Sequence, residues 1–165
     1  MRFSLVDQIL EVEPHKRITV VKNLTLGEEY LADHFPTFPV MPGVLMLQTL
    51  VEAGSWLLRI SEDFSRSIIA LREAKNVKYG QFMEPGRKMI VTAELIEDNG
   101  SLATFKAKGE AEGSQTVSAR ITLGRYNLRD RDPAMESIDE RIRGHWRRLY
   151  AVLSSGAGHK LSASG

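Results

Sequence analysis

The sequence predicts an α+β fold in which a curved antiparallel β-sheet wraps around one long central helix, with a C-terminal helical extension. Three observations predict it. The hydrophobic pattern runs strand, strand, one long helix, then four strands. The helix is apolar over most of its circumference, which marks a buried helix rather than a surface one. A single helix cannot cover both faces of a flat six-stranded sheet, so the sheet has to curve around it.

The elements follow in order. Residues 5–13 and 17–24 ("RITVVKNL") read as two strands, with Pro14-His15 between them as a hairpin. Residues 25–43 have no period and carry Pro36, Pro39 and Pro42, so they form an ordered loop. Pro42-Gly43 marks a helix start, because proline is preorganised for a first turn. The helix "VLMLQTLVEAGSWLLRI" runs to about Ile60. At about 100° per residue, Gln48, Glu52, Ser55 and Arg59 fall in one narrow stripe. Most of the remaining surface is apolar or small, including Val44, Leu45, Leu50, Ala53, Trp56 and Leu57.

Strand patterns return at 67–79, 87–97, 101–111 and 115–126. Asn99-Gly100 in "EDNGS" is a strong hairpin signal, "AEGSQ" reads as a second turn, and "EPGR" (84–87) as a proline–glycine turn. From Asn127 the chain becomes charged and helix-prone, with Asp132-Pro133 at the helix start. In "RIRGHWRRL", Ile142, Trp146 and Leu149 are expected to pack inward and the arginines to face water. An acidic "MESIDE" stretch beside them weakens any reading as a docking patch. The tail "SSGAGHKLSASG", which contains His159, is expected to fray. Residues 1–126 therefore form the main domain and 127–165 a charged helix and flexible tail.

Composition narrows the chemistry. The chain is 42% hydrophobic and 26% charged, which suits a soluble globular protein. It has no cysteine, which excludes thiolate catalysis and cysteine-ligated zinc. A net charge of +1 gives no field for nucleic acid. Four histidines scattered along the chain form no metal-ligand cluster, so no metal or other cofactor is expected. The N-terminus lacks an unbroken apolar run, and the 44–60 segment is interrupted by Gln48, Glu52 and Arg59. Neither a signal peptide nor a membrane span is expected, and the cytoplasm is the expected location.

The segment "HFPTFPVMPGVL" (34–45) resembles the active-site signature of the (3R)-hydroxyacyl-acyl carrier protein dehydratases, the FabZ/FabA-like family of hotdog-fold enzymes. "VKYGQFMEPGRKM" is similar to the family's later strand–turn–strand, and the resemblance covers roughly residues 5–125. It implies removal of water from a 3-hydroxyacyl thioester carried by acyl carrier protein or coenzyme A, in a homodimer or an assembly of dimers. It implies a catalytic histidine at His34 and a carbonyl-binding backbone N–H at Gly43, with Phe35, Pro42 and Val44 at the substrate. The chemistry suits those types. A neutral imidazole titrates near pH 6.5, and a helix N-terminus favours developing negative charge.

Two positions depart from the family. The family places a carboxylate fourteen residues after the histidine, supplied by the other subunit, and glutamine one turn later. This chain has Gln48 at the first position and Glu52 at the second. Glutamine hydrogen-bonds a hydroxyl but transfers no proton. Glu52 lies about 6 Å further along the helix axis. The expected catalytic set is His34, Glu52 and Gln48. Two other readings stand beside dehydration: a noncatalytic acyl-thioester-binding subunit of a heteromeric dehydratase, and a hotdog thioesterase in which Glu52 activates water.

Overall fold

A computed structural model describes residues 4–156; the expected frayed tail, His159 included, lies mostly outside the described residues. Six strands form one antiparallel sheet: β1 (Gln8–Glu13), β2 (Arg17–Asn23), β3 (Ile68–Tyr79), β4 (Lys88–Asp98), β5 (Leu102–Ala111) and β6 (Ser114–Tyr126). Helix α1 (Gly43–Ser61) joins β2 to β3, and α2 (Glu136–Ser154) follows β6. The first strand is shorter than its pattern suggests. Leu5, Val6 and Asp7 precede it, and Leu5 and Val6 are buried against the helix instead.

The strand order is β1-β2-β4-β5-β6-β3. The chain leaves β2, runs through α1, and places β3 at the far edge of the sheet. It then returns to pair β4 with β2. Turn chemistry sets the consecutive hairpins. At the β4–β5 turn, Gly100 takes φ +88° while Asn99 Oδ1 accepts the Ser101 and Leu102 N–H groups at 3.1 and 2.8 Å. At the β5–β6 turn, Glu112 and Gly113 both have positive φ, as a two-residue turn between right-twisted strands requires.

Helix α1 packs on the concave face of the sheet. Leu50, Ala53, Trp56 and Leu57 meet inward residues of alternate register, among them Ile18, Val91, Phe105 and Ile121. Each large side chain so buried contributes about 1.5–3 kcal/mol. No helix among the described residues is long and apolar enough to cross a membrane.

Helix α2 closes over the C-terminal half of α1. Trp146 stands edge-on to Trp56 at 5.6 Å, and Tyr150 lies 5.7 Å from Phe64. Trp146 and Leu149 pack against the core as their spacing predicts, whereas Ile142 stays half-buried on the flank. Within the acidic stretch one residue turns inward. Asp139 is fully buried, accepting the N–H groups of Leu128 and Arg129 at 2.9 Å each and the Ser67 hydroxyl. Glu136 ties Arg129 and Arg143 at 2.8 Å each, and Arg147 donates to the Asp63 carbonyl at 3.0 Å. The α2 arginines are therefore not all solvated: two of them fasten the helix.

Burial raises the Asp139 carboxyl, but the bonds from Ser67, Arg129 and Leu128 outweigh it and hold it below the usual carboxylate range. Its contribution to stability is present above that range and is lost as pH falls through its folded pKa. Asp139→Ala is expected to cost about 3 kcal/mol, because it strands buried donors. Urea unfolding followed by tryptophan fluorescence measures this directly.

Candidate active site

The loop between β2 and α1 is built to hold its side chains in place. His34 is half-buried, with its ring 4.6 Å from that of Phe35. Phe35 itself takes φ +49°, a left-handed conformation uncommon for a bulky residue. The turn closes when the Phe38 N–H donates to the Phe35 carbonyl at 2.8 Å. Met41 then fastens the loop by donating to the Met83 carbonyl at 2.8 Å, and Phe38 meets Phe82 edge-on at 5.9 Å.

The loop ends at Pro42-Gly43, where α1 begins. No side chain caps this N-terminus and no acid lies in its first turn, so its leading N–H groups have no side-chain acceptor. Gly43 faces the ring of Tyr79. A Cβ built on it would lie 2.9 Å from Tyr79 Cε1, so any larger residue has to displace that ring. Around this point the surface is apolar: Val44 is 69% exposed, Phe35 and Phe82 60%, and Phe38 and Tyr79 50%. Such a cluster of exposed rings on one face marks an interaction or ligand surface. The sequence reading missed Tyr79 and Phe82. Their signal was faint: two aromatics flanking Gly80-Gln81, where a turn ordinarily carries polar residues.

The polar stripe of α1 is graded along the helix. Gln48 is exposed, Glu52 half-buried, and Ser55 and Arg59 buried. Ser55 satisfies itself by donating to the Val51 carbonyl at 2.8 Å. Glu52 Oε2 accepts the N–H groups of Leu5 at 2.9 Å and Val6 at 3.2 Å, and Gln48 lies one turn before it on the same helix face. Burial pushes the Glu52 carboxyl up, while those bonds and the charge of Arg59 pull it part of the way back. Burial lowers Arg59 to about 10 against the opposing pull of Glu52. Its guanidinium lies 4.0 Å above the Trp146 ring. The structure thus puts Gln48 and Glu52 on one face of α1, and sets Pro42, Gly43 and Val44 together at the helix start. Phe35 stays with His34 on the loop.

Comparison with known proteins agrees with the fold and the motif. The family described as ApeI-like, ApeI dehydratase, matches residues 11–120. A 3-hydroxyacyl-acyl-carrier-protein dehydratase FabZ of Polynucleobacter necessarius is 33% identical over 120 residues, 73% of this chain and 80% of that protein. Among solved structures, the dehydratase heterocomplex ApeI:P from Xenorhabdus doucetiae matches with a TM-score of 0.66 at 13% identity, over 81% of this chain and 90% of that one. A Streptococcus mutans protein bound to acetyl CoA matches with a TM-score of 0.57 at 12% identity, over 77% and 94%. Both share the hotdog fold.

Glu52→Ala leaves the Leu5 and Val6 N–H groups without their acceptor. The expected cost is about 2 kcal/mol in urea unfolding, with faster hydrogen exchange at those two amides. Glu52→Gln keeps an acceptor oxygen and should keep them protected. Folded Glu52 titrates above its ordinary value, so its contribution is complete in acid and is lost as pH rises through its folded pKa. Glu52→Gln should abolish that decline.

Proposed function

The chain belongs to the ApeI-like dehydratase family, and on that premise we propose that it dehydrates (3R)-hydroxyacyl thioesters to trans-2-enoyl thioesters. The acyl group is carried by acyl carrier protein or coenzyme A, in fatty-acid or related lipid metabolism. The observation that carries this reading is the uncapped start of α1 at Gly43, at the end of the rigid loop that bears His34.

In this mechanism the thioester carbonyl accepts a hydrogen bond from the Gly43 N–H, where the helix dipole favours the enolate-like charge. The neutral His34 imidazole takes a proton from C2. The electron pair left at C2 forms the C2–C3 double bond as the C3–O bond breaks. The departing hydroxide takes the proton back from the His34 imidazolium and leaves as water, so the histidine ends neutral. Gln48 donates an amide N–H to the 3-hydroxyl and orients it without carrying a proton. Phe35, Pro42 and Val44 offer apolar surface to the acyl chain.

The exposed rings and the edge strand β3 support pairing of two copies, with Gln48 of one facing His34 of the other. Small-angle scattering at micromolar concentration should return a dimer, and a compact monomer would remove this part of the reading.

Gln48 favours a second reading. The chain then serves as the His34-bearing subunit of a mixed pair whose partner supplies the helix carboxylate. The solved ApeI:P heterocomplex is a dehydratase of two different chains. Hydrolysis is less well supported, because water activation by Glu52 competes with its bonds to Leu5 and Val6.

The test is interconversion of 3-hydroxyacyl and enoyl thioesters by the purified protein. His34→Ala should lower kcat about a hundredfold or more with the fold retained. Gln48→Ala should lower it about tenfold, the worth of one oriented hydrogen bond. A slow wild type accelerated by Gln48→Glu supports the mixed pair instead.

A further inference from the structure

We propose that the cleft beside α2 docks an acidic amphipathic helix of the protein that carries the acyl group. Arg141 and Arg148 meet its acids, and Ile138, Ile142 and Leu149 meet its apolar face. This rests on the dehydratase reading above and deepens it, because it names a protein rather than coenzyme A as the carrier. Residues 138–149 lie beyond 120, where the family match ends, so this surface belongs to the C-terminal extension.

The arginines of α2 divide into two sets. Arg143 is tied to Glu136, and Arg147 to the Asp63 carbonyl. Arg141 and Arg148 are exposed and have no ion-pair partner among the described residues. Seven residues apart, they lie on one side of the helix. Gly144 brings them closer. A Cβ there would lie 3.3 Å from Arg148 Nη1, so the missing side chain lets that guanidinium lie back toward the turn of Arg141. The acids that weaken a docking patch in the sequence are engaged elsewhere. Asp139 is buried against Ser67, Leu128 and Arg129, and Glu136 is held by Arg129 and Arg143. Glu140 remains, and at about 100° per residue it falls on the far side of the two arginines from Ile138, Ile142 and Leu149.

The apolar part of the surface is a cleft of about 820 Å³ between α2 and the N-terminal segment, lined by Ile138, Ile142, Trp146 and Leu149 and by Ser4. Ile138 is exposed, and the exposed Val152 continues the strip beyond Leu149. From residue 138 to 149 the strip runs about 17 Å, three turns of helix. A basic edge along an apolar cleft of that length matches one amphipathic helix whose acids border its apolar face. A bilayer covers a convex or flat face rather than a cleft, and a nucleic acid gains nothing from the apolar strip. The chain's own residues 157–165 include Lys160 and no acid, so they lack the complementary charge. Helix α2 meets α1 where Trp146 stands on Trp56, about 20 Å along the α1 axis from Gly43. The thioester then reaches Gly43 on an extended linker to the docked helix.

The experiment uses the full chain, the charge reversal Arg141→Glu with Arg148→Glu, and the single variant Ile138→Ser. Turnover of one 3-hydroxyacyl group is compared on purified acyl carrier protein and on coenzyme A. The charge reversal should raise KM for the carrier-protein substrate about tenfold, with kcat within about twofold. Ile138→Ser should raise that KM by less. Added salt should raise the wild-type KM and leave that of the charge reversal nearly unchanged. Coenzyme A turnover and the thermal midpoint should stay unchanged in both variants, because the substituted side chains are exposed. A carrier-protein KM unmoved by the charge reversal overturns the inference. An equal rise in KM for coenzyme A, or a wild type active on coenzyme A alone, overturns it too. A wild type that turns over neither substrate overturns the dehydratase reading. Docking is then decided by titrating the nitrogen-15-labelled chain with the carrier protein. Amide shifts at 138–152 that the charge reversal abolishes support it, and their absence overturns it. Shifts there with phosphatidylglycerol vesicles and none with the carrier protein also overturn it.

Discussion

A helix enclosed by a curved sheet has nowhere to put polar side chains, and α1 carries four of them in one stripe. Every other arrangement in the molecule has to answer that constraint. Unpaired polar groups in such a position cost about 1–3 kcal/mol each. Ser55 answers with its own helix carbonyl, Glu52 with the N-terminal backbone, and Arg59 with the rings of Trp56 and Trp146. Gln48 alone remains exposed. The N-terminal segment and α2 are drawn onto the same helix, from opposite ends of the chain, because the stripe must be covered. The strand that begins at Gln8 rather than Leu5 is part of the same solution. Leu5 and Val6 spend their N–H groups on a carboxylate instead of a ladder.

Much of this was legible in the sequence because local rules act over short spans. The period of α1, the Pro42-Gly43 start and the Asn99-Gly100 turn each rest on a few adjacent residues, and each emerged within a residue or two of its expected place. The placement of β3 at the far edge was not legible. It depends on pairing Ile68–Tyr79 with Ser114–Tyr126, a contact that no local period encodes. The inward turn of Asp139 was hidden for a related reason. A lone acid in a charged helix looks solvated until the Leu128 and Arg129 N–H groups and Ser67 are known to converge on it.

The candidate site shows the same division. His34 and Gly43 stand out because proline and glycine leave a strong local mark. Tyr79 does not, since its closeness to Gly43 depends on the far edge strand meeting the start of α1. The Gln48 and Glu52 pair was visible as an exchange of residue types. Its meaning came only from burial. The position nearer the helix start is open, and the position one turn later faces scaffold.

That difference gives the exchange a physical direction. A carboxylate at position 48 would be exposed on the surface that carries the candidate chemistry. At position 52 it is half-buried and bonded to two backbone N–H groups. Moving the acid by one turn moves the negative charge from the chemistry to the framework, and it leaves a neutral amide at the open position. The amide cannot transfer a proton, so in the proposed dehydration proton transfer falls to His34. The amide can orient a hydroxyl only if its own orientation is fixed. Glu52, four residues on along the same helix face, is an acceptor held in place by two backbone N–H groups. The polar stripe that α1 had to satisfy for packing reasons thereby places a fixed acceptor one turn from the neutral residue.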